Sequence, residues 1–175
     1  MNMFDLLRLL AEAKVEFVLV GGLAVALHGY QRATLDVDIV LAMDDENLQH
    51  FLAVAKDSGL RPTMPVQLDS LAQPALIEQW YREMGQAGKP RSGCSQKGML
   101  AFSVRGPDTV AAVLDILVRP VIPFADLRRD ATLIEIGSIS IPVASIGHLI
   151  AMKTNTGRSK DLIDVEELRK IQAQK

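Results

Sequence analysis

The 175-residue sequence has a single cysteine and little excess of either charge. One thiol, Cys94, cannot form an internal disulfide, and no group of cysteines and histidines around it suggests a zinc site. The formal net charge is -2 and the pI is about 5.9, so no overall cationic field draws the chain towards nucleic acid or an anionic membrane. Stable DNA binding is therefore not expected.

Long apolar runs are also missing. No segment approaches the roughly 20 apolar residues that a membrane-spanning helix requires. Near the N-terminus, Asp5, Arg8 and Glu12 interrupt the apolar stretch that a signal peptide would need. These features, together with the single cysteine, predict a cytoplasmic protein with no membrane partner.

The composition is that of a folded globular chain. Hydrophobic residues make up 49% and charged residues 23%, which is enough apolar material for a core. The length predicts one domain over residues 1–175, with a core at about 1–125 and a C-terminal hairpin and helices at about 126–175.

Strand-like and helix-like patterns alternate along the chain. The predicted strands are FVLVGG, TLDVDIVLA, MLAFSVRG, VAAVLDILV and a hairpin within TLIEIGSISIPVAS. The predicted helices are Met3–Lys14, LAVALHGY, DENLQHFLAVAKDSG, about 70–84, SIGHLIAMKTNTG and SKDLIDVEELRKIQ. The order predicts an α+β fold, a mixed β-sheet with flanking helices and two C-terminal helices.

Two aspartates interrupt an otherwise apolar strand, LDVDIVL. In a strand, residues two apart point to the same side, so Asp36 and Asp38 share one face while Leu35, Val37 and Ile39 share the other. Two carboxylates at that spacing can bracket a hard cation. A strand with one wet face would explain the same pattern.

A third acid stands in a less ordinary setting. Asp115 lies within AAVLDILV, where an ionised carboxylate buried without a partner would cost several kcal/mol. It either has a cationic partner or lies at an edge. If a neighbouring strand places it beside Asp36 and Asp38, a divalent cation is needed to neutralise the three, and oxygen ligands favour Mg²⁺ or Mn²⁺.

A pair of glycines joins the first predicted strand directly to a helix. Gly21 and Gly22 leave bare backbone N–H groups at the positive end of that helix, which is a phosphate-binding arrangement. Alone they would indicate only a tight turn. Beside a metal-binding carboxylate pair they indicate phosphates held near a neutralising metal.

The combination resembles the nucleotidyltransferase superfamily of the DNA polymerase beta type. Its signature is a glycine turn and helix, a strand with two acids, and a third acid on a later strand. The segments GGLAVALHGYQRATLDVDIV and LIAMKTNTGRSKDLIDVEEL resemble, more closely, the AbiEii-type nucleotidyltransferases of abortive-infection toxin–antitoxin systems. The middle of the chain, about 60–98, matches no pattern of that family.

The resemblance implies residue roles, a cofactor and partners. Nucleotide phosphates would contact Gly21 and Gly22, and Asp36, Asp38 and Asp115 would bind Mg²⁺ or Mn²⁺, with Asp115 as a ligand or a base. The resemblance adds Lys153, Lys160 and Asp161 to the active site. Arg32 and Thr34 are further candidates for contact with phosphate or nucleotide, because they lie just before the aspartate pair. The partners implied are a nucleoside triphosphate, an acceptor RNA or protein, and a cognate antitoxin or toxin.

Ordinary interpretations of these additional residues remain open. Lys153 lies on the apolar stripe of its helix, where it can extend to solvent or meet a phosphate. Asp161 fits the first turn of a helix capped by Ser159 as well as it fits a catalytic role. His28, before Gly29, fits the end of a helix better than a ligand or base. Arg32 and Thr34 belong to common loop and strand-start types.

The predicted activity is metal-assisted nucleotidyl transfer, in which an acceptor hydroxyl attacks the α-phosphorus of a nucleoside triphosphate and pyrophosphate leaves. One alternative is a nucleotide-binding regulatory or antitoxin-like module without turnover. Another is a metal-dependent phosphohydrolase that uses the same acids with water as the acceptor.

Overall fold

The fold is described by a computed structural model over residues 1–73, 75–76, 78–79, 82, 101–108, 112–154 and 156–174. Cys94, Trp80 and Tyr81 lie outside the described residues. Among the described residues, no helix has both the length and the apolar character to cross a membrane.

In the described part of the chain, seven strands form one mixed sheet. They are β1 Phe17–Val20, β2 Asp36–Leu41, β3 Arg61–Pro62, β4 Ala101–Arg105, β5 Val113–Leu117, β6 Thr132–Ile136 and β7 Ile139–Val143. Their order across the sheet is β3-β4-β5-β2-β1-β7-β6. The pairs β2/β5 and β1/β7 are parallel and the other neighbours are antiparallel. The predicted α+β fold with a mixed sheet is confirmed.

The α-helices with assigned bounds lie between and after these strands. They are α1 Met3–Glu12, α2 Gly21–Leu27, α3 Asp45–Asp57, α4 Phe124–Arg129, α5 Ile146–Lys153 and α6 Ser159–Ala173. The sequence did not predict α4, because its six residues are too few to display a helical period. A helix was predicted over about 70–84, but the structure has a 3-10 helix at its start, Leu68–Ala72. Part of the remaining range lies outside the described residues.

Local capping fixes the ends of several helices. Asn2 accepts hydrogen bonds from the N–H groups of Phe4 and Asp5, which starts α1, and Asp44 accepts one from Asn47 to start α3. Ser159 was predicted to cap α6, but that prediction is wrong. Ser159 is the first helical residue, the cap is Arg158, and Arg158 makes no side-chain capping bond.

The core lies on both sides of the central strands. All four residues of β1 are buried, and Phe17, Phe51 and Phe102 are among the largest fully buried side chains. Leu35 was predicted to share the apolar face of β2. It precedes the strand and is 80% exposed, so that part of the prediction is wrong.

Asn47 ties the start of β1 to the end of β2. Its Nδ2 donates to the carbonyl oxygens of Glu16 and Ala42, both at 2.9 Å, and its Oδ1 accepts from the Glu16 N–H at 2.8 Å. The residue is only 6% exposed, so water does not replace these bonds. It thereby anchors α3 beside the two central strands.

The Asn47→Ala substitution should therefore lower the free energy of unfolding by on the order of 2 to 3 kcal/mol, because it leaves buried backbone groups without partners. Urea denaturation measures the change. Gln49→Ala, at an exposed position of the same helix, is the control and should alter stability by no more than about 0.5 kcal/mol. Equal effects of the two substitutions would contradict this role of Asn47.

Candidate active site

The glycine turn between β1 and α2 closely approaches Asp38. Gly21 has φ +70°, in the left-handed region, and a Cβ at this position would lie 2.0 Å from Oδ2 of Asp38. The N–H of Gly22 donates a hydrogen bond to the Asp38 carboxylate. Only glycine fits at position 21, and the turn is fixed directly against one of the predicted metal ligands.

Strand pairing brings the acids of two strands together. In the parallel pair β2/β5, Asp38 lies opposite Asp115. Asp36 is exposed at the start of β2, and Asp38 is half-buried. On the other side of β5, Ser103 lies opposite Asp115, and its Oγ donates to Oδ1 of Asp115 at 2.5 Å. The predicted meeting of Asp115 with the aspartate pair is thus present in the sheet register.

The surroundings of Asp38 and Asp115 favour neutralisation of their negative charges. Burial, together with the charges of Asp115 and Asp36, raises the pKa of Asp38 from 3.8 to about 6, although Lys153 and the Gly22 N–H act in the opposite direction. Burial also raises the pKa of Asp115, with a further contribution from Asp36, against the hydrogen bond from Ser103. Both carboxylates therefore carry negative charge that the surrounding protein only partly offsets.

The donor chemistry fits a divalent cation. Among the described residues, no three His, Cys, Asp or Glu side chains form a ready-made metal-binding group. The two adjacent carboxylates on β2 and β5 nevertheless offer the oxygen ligands that Mg²⁺ and Mn²⁺ prefer, and both have raised pKa values. Asp36, two residues from Asp38 on the same strand, is the third predicted donor.

The C-terminal helices α5 and α6 contribute buried ionic side chains beside the acids of β2 and β5. Lys153 Nζ lies 2.8 Å from Oδ1 of Asp161 and 2.9 Å from Oδ2 of Asp164. The exposed fractions of these three residues are 8%, 4% and 1%. Arg32, from the loop before β2, also forms a salt bridge to Asp164. We call Arg32, Lys153, Asp161 and Asp164 the ionic cluster.

The ionic cluster is internally balanced, with two cationic and two anionic side chains. Burial alone would raise the pKa of Asp161, but hydrogen bonds from Lys153 and Thr156 outweigh it and hold that pKa below its usual range. Arg158 Nε, 3.9 Å from Oδ2 of Asp161, acts in the same direction. Asp161 is therefore an ionised partner of Lys153 rather than a helix-end charge in solvent.

All the residues that the sequence predicted for the site line one cleft. These residues are Gly21, Gly22, Arg32, Thr34, Asp36, Asp38, Asp115, Lys153, Lys160 and Asp161. Leu149 and Met152 supply part of the apolar wall. The structure thus brings the residues together, while their individual chemical roles stay predictions.

Some participants were not anticipated. Asp164 lies one helical turn after Asp161, and this i, i+3 spacing is a signal that could have found it. Ser103 could not be found without the pairing of β4 with β5. His28 is the C-cap residue of α2, as predicted, and its Nε2 lies 2.8 Å from the carbonyl oxygen of Ala144.

Comparison with solved structures shows that the fold is similar to those of nucleotidyltransferases. A lincosamide antibiotic adenylyltransferase, LnuA, in a lincomycin-bound structure, has a TM-score of 0.57 and 17% identity, with 97% of this chain and 95% of that chain covered. A Thermotoga maritima protein assigned as a nucleotidyltransferase has a TM-score of 0.51 and 18% identity, covering 100% and 97%. ANT(2")-Ia, in complex with adenylyl-2"-tobramycin, has a TM-score of 0.50 and 12% identity, covering 98% and 92%.

The fold is thus that of the nucleotidyltransferases, and a match to a family of these enzymes gives the chain the same class. Residues 5–174 match the family described as "Nucleotidyl transferase AbiEii toxin, Type IV TA system". The chain belongs to the AbiEii family, which confirms the resemblance noted in the sequence. Comparison with curated proteins finds no match.

The raised pKa of Asp38 predicts a pH-dependent stability in the absence of metal. Because the folded-state pKa of about 6 exceeds the ordinary value of 3.8, the folded protein binds this proton more tightly than the unfolded chain. The stabilisation is complete below pH 3.8 and is lost as the pH rises through about 6. Asp38→Asn should thus raise stability by on the order of 1 kcal/mol at neutral pH and by less near pH 4.

Thermal unfolding of metal-free protein across this pH range measures the effect. Asp57→Asn, which removes an exposed carboxylate at the end of α3, is the control. A stabilisation by Asp38→Asn that is the same at both ends of the range would contradict the proton linkage.

Lys153→Met should destabilise the fold, since it leaves the buried carboxylates of Asp161 and Asp164 without their shared cation. The expected loss is about 3 to 5 kcal/mol in the free energy of unfolding. Lys170→Met is the matched control, because Lys170 is an exposed lysine of α6 paired with Glu166 and Glu167. The loss should shrink when Asp161→Asn is added, and full additivity of the two changes would contradict the pairing.

Proposed function

We propose that the protein transfers a nucleoside monophosphate from a nucleoside triphosphate to an acceptor hydroxyl, with Mg²⁺ or Mn²⁺ as cofactor, and releases pyrophosphate. The observation that carries the proposal is the adjacency of Asp38 and Asp115 beside the Gly21–Gly22 turn in a single cleft. This arrangement joins phosphate-binding backbone to carboxylates that need a cation. Membership of a nucleotidyltransferase family supports it.

Different residues of the cleft are suited to different steps of this reaction. The acceptor oxygen forms a bond to the α-phosphorus while the bond from that phosphorus to the pyrophosphate oxygen breaks. The proton of the acceptor hydroxyl passes to a carboxylate, for which Asp115, with its raised pKa, is suited. Asp36, Asp38 and Asp115 would hold the metal, which supplies Lewis-acid stabilisation of the phosphate charge when bound.

Cationic side chains would hold the polyphosphate. Lys160, exposed at the start of α6, lines the cleft together with Arg32 and Arg158. Thr34 lies on the side of the glycine turn, where a Cβ on Gly22 would be 3.0 Å from its Oγ1. Lys153 is committed to Asp161 and Asp164, so we assign it to the electrostatic field around Asp38, whose pKa it lowers.

The acceptor in this proposal is an RNA end or a protein side chain. The family description as a toxin of a Type IV toxin–antitoxin system supports action on a cellular macromolecule, in the cytoplasm and countered by a cognate antitoxin. An antibiotic-like small molecule is a second candidate, favoured by the lincomycin-bound adenylyltransferase and by the adenylyl-tobramycin complex among the similar folds.

Two other functions use the same residues. A nucleotide-binding module without turnover would need the glycine turn but has no physical requirement for adjacent, repelling carboxylates. A metal-dependent phosphohydrolase would use the carboxylates with water as the acceptor. Identification of the reaction products separates all three.

The test incubates the protein with Mg²⁺, an α-labelled nucleoside triphosphate and one acceptor class at a time: cell RNA, cell protein, or aminoglycosides and lincosamides. If the protein is a transferase, label should become attached to one of these acceptor classes. Asp36→Asn should reduce this transfer by on the order of 10² or more, because a metal ligand acts in the transition state. Asp57→Asn is the folded control and should transfer at the wild-type rate.

The position of the label decides between the functions. Label in a free nucleoside monophosphate, with no labelled acceptor, would indicate hydrolysis. Absence of turnover, combined with a melting temperature that rises with Mg²⁺ and a triphosphate together, would indicate the binding module. Wild-type rates of transfer by Asp36→Asn would contradict the metal assignment.

A further inference from the structure

Asp164 is a buried carboxylate with two cationic partners, and it takes no part in the proposed chemistry. It is 1% exposed, and it forms salt bridges to Arg32 and to Lys153. A nucleotide in the cleft would meet Arg32 and Lys153, which line it, before it met Asp164. Any effect of Asp164 on the reaction must therefore act through these cations.

The guanidinium of Arg32 extends from α6 to the glycine turn. Its Nη1 donates to Oδ2 of Asp164. Its Nη2 is close to the turn, since a Cβ on Gly22 would lie only 3.1 Å from this nitrogen. One nitrogen of the same planar group therefore contacts the buried acid, and the other lies beside the backbone where phosphates are proposed to bind.

The planar guanidinium transmits orientation from one end to the other. A surface arginine without such a partner would lose much of its rotamer freedom when it bound a phosphate. Here the pairing with Asp164 fixes the plane beforehand, because a charge-assisted bond to a buried carboxylate is strong and directional. The side chain of Arg32 is 17% exposed, so the fixed group still reaches the cleft.

Charge balance leaves Arg32 able to attract an anion. Lys153 is shared between Asp161 and Asp164, so the negative charge of Asp164 is divided between Lys153 and Arg32. Arg32 thus retains attraction for a phosphate at the turn while Asp164 keeps it in place. The absence of a side chain at Gly22 gives the guanidinium the room to occupy this position.

We propose that Asp164 is a positioning residue: it holds the guanidinium of Arg32 beside the Gly21–Gly22 turn, so that Nη2 meets the polyphosphate of the bound nucleotide. The inference rests on the proposed nucleotide site. It assigns to α6 a role in phosphate binding through a residue that does not touch the nucleotide.

The test is a binding measurement on the intact protein with magnesium tripolyphosphate, which contains the phosphates without base or sugar. Asp164→Asn and Arg32→Gln should each weaken binding by about tenfold or more, the equivalent of one charge-assisted hydrogen bond. The double variant should bind no more weakly than Arg32→Gln alone, because both changes remove the same oriented contact. Glu166→Gln, at an exposed acid of the same helix, should bind as the wild type does.

Arg32→Lys separates positioning from simple charge. Lysine can pair with Asp164 and restore the melting temperature relative to Arg32→Gln, but it cannot contact the acid and the turn with one planar group. Tripolyphosphate binding should therefore stay weak in Arg32→Lys. This comparison decides the question if Asp164→Asn does not fold, as judged by circular dichroism.

Several results would overturn the inference. These are wild-type binding by folded Asp164→Asn, additive losses in the double variant, full recovery of binding in Arg32→Lys, or no binding of tripolyphosphate by the wild type. A different set of results would show that the proposed function fails while this inference holds. In that case tripolyphosphate binding depends on Asp164 and Arg32 as expected, while no labelled acceptor forms.

Discussion

The repulsion between two carboxylates on adjacent parallel strands governs the structure around the cleft. The register of β2 with β5 sets Asp38 opposite Asp115, and partial burial weakens the screening of both charges by water. An arrangement of this kind is stable only if positive charge or hydrogen-bond donors are near. The fold supplies them from three directions: the Gly22 N–H, the Ser103 hydroxyl on β4 and the ammonium of Lys153 on α5.

The charges on the two C-terminal helices are related to the same repulsion between carboxylates. Lys153 lowers the pKa of Asp38, but a lysine that is only 8% exposed needs carboxylate partners of its own. Asp161 and Asp164, one turn apart on α6, provide them, and Arg32 balances the second of these acids. The helices thus join the sheet through a balanced set of charges as well as through apolar residues such as Leu149 and Leu168.

Much of this architecture is legible in the sequence because its signals are local. Alternation in the β2 segment and the hairpin around Gly137 depend on residues a few positions apart, and the structure agrees with both in type and position. The short helix α4 lacks such a signal. Leu35 was misjudged because alternation was extended one residue beyond the point where the strand begins.

The acids that line the cleft could also be singled out in the sequence, since an acid inside an apolar strand conflicts with its surroundings, which is typical of a functional position. The sequence could not show which of these side chains pair with one another. The assignment of Lys153 to Asp164, of Arg32 to Asp164 and of Ser103 to Asp115 depends on strand order and helix placement across distant parts of the chain. Lys153 was expected at a phosphate or at solvent, and only the packing of α5 against α6 shows why an apolar stripe contains it.

One consequence of these partnerships is that two kinds of carboxylate share the cleft. Asp161 has a lowered pKa because its hydrogen bonds and cationic neighbours outweigh burial, so it stays ionised and structural. Asp38 and Asp115 have raised pKa values because burial and repulsion from neighbouring carboxylates, Asp36 among them, outweigh their donors, so they gain most from a cation or a proton. The surroundings therefore divide the same residue type into an ionised acid paired with the cations of the C-terminal helices and the acids that we propose to take part in the chemistry.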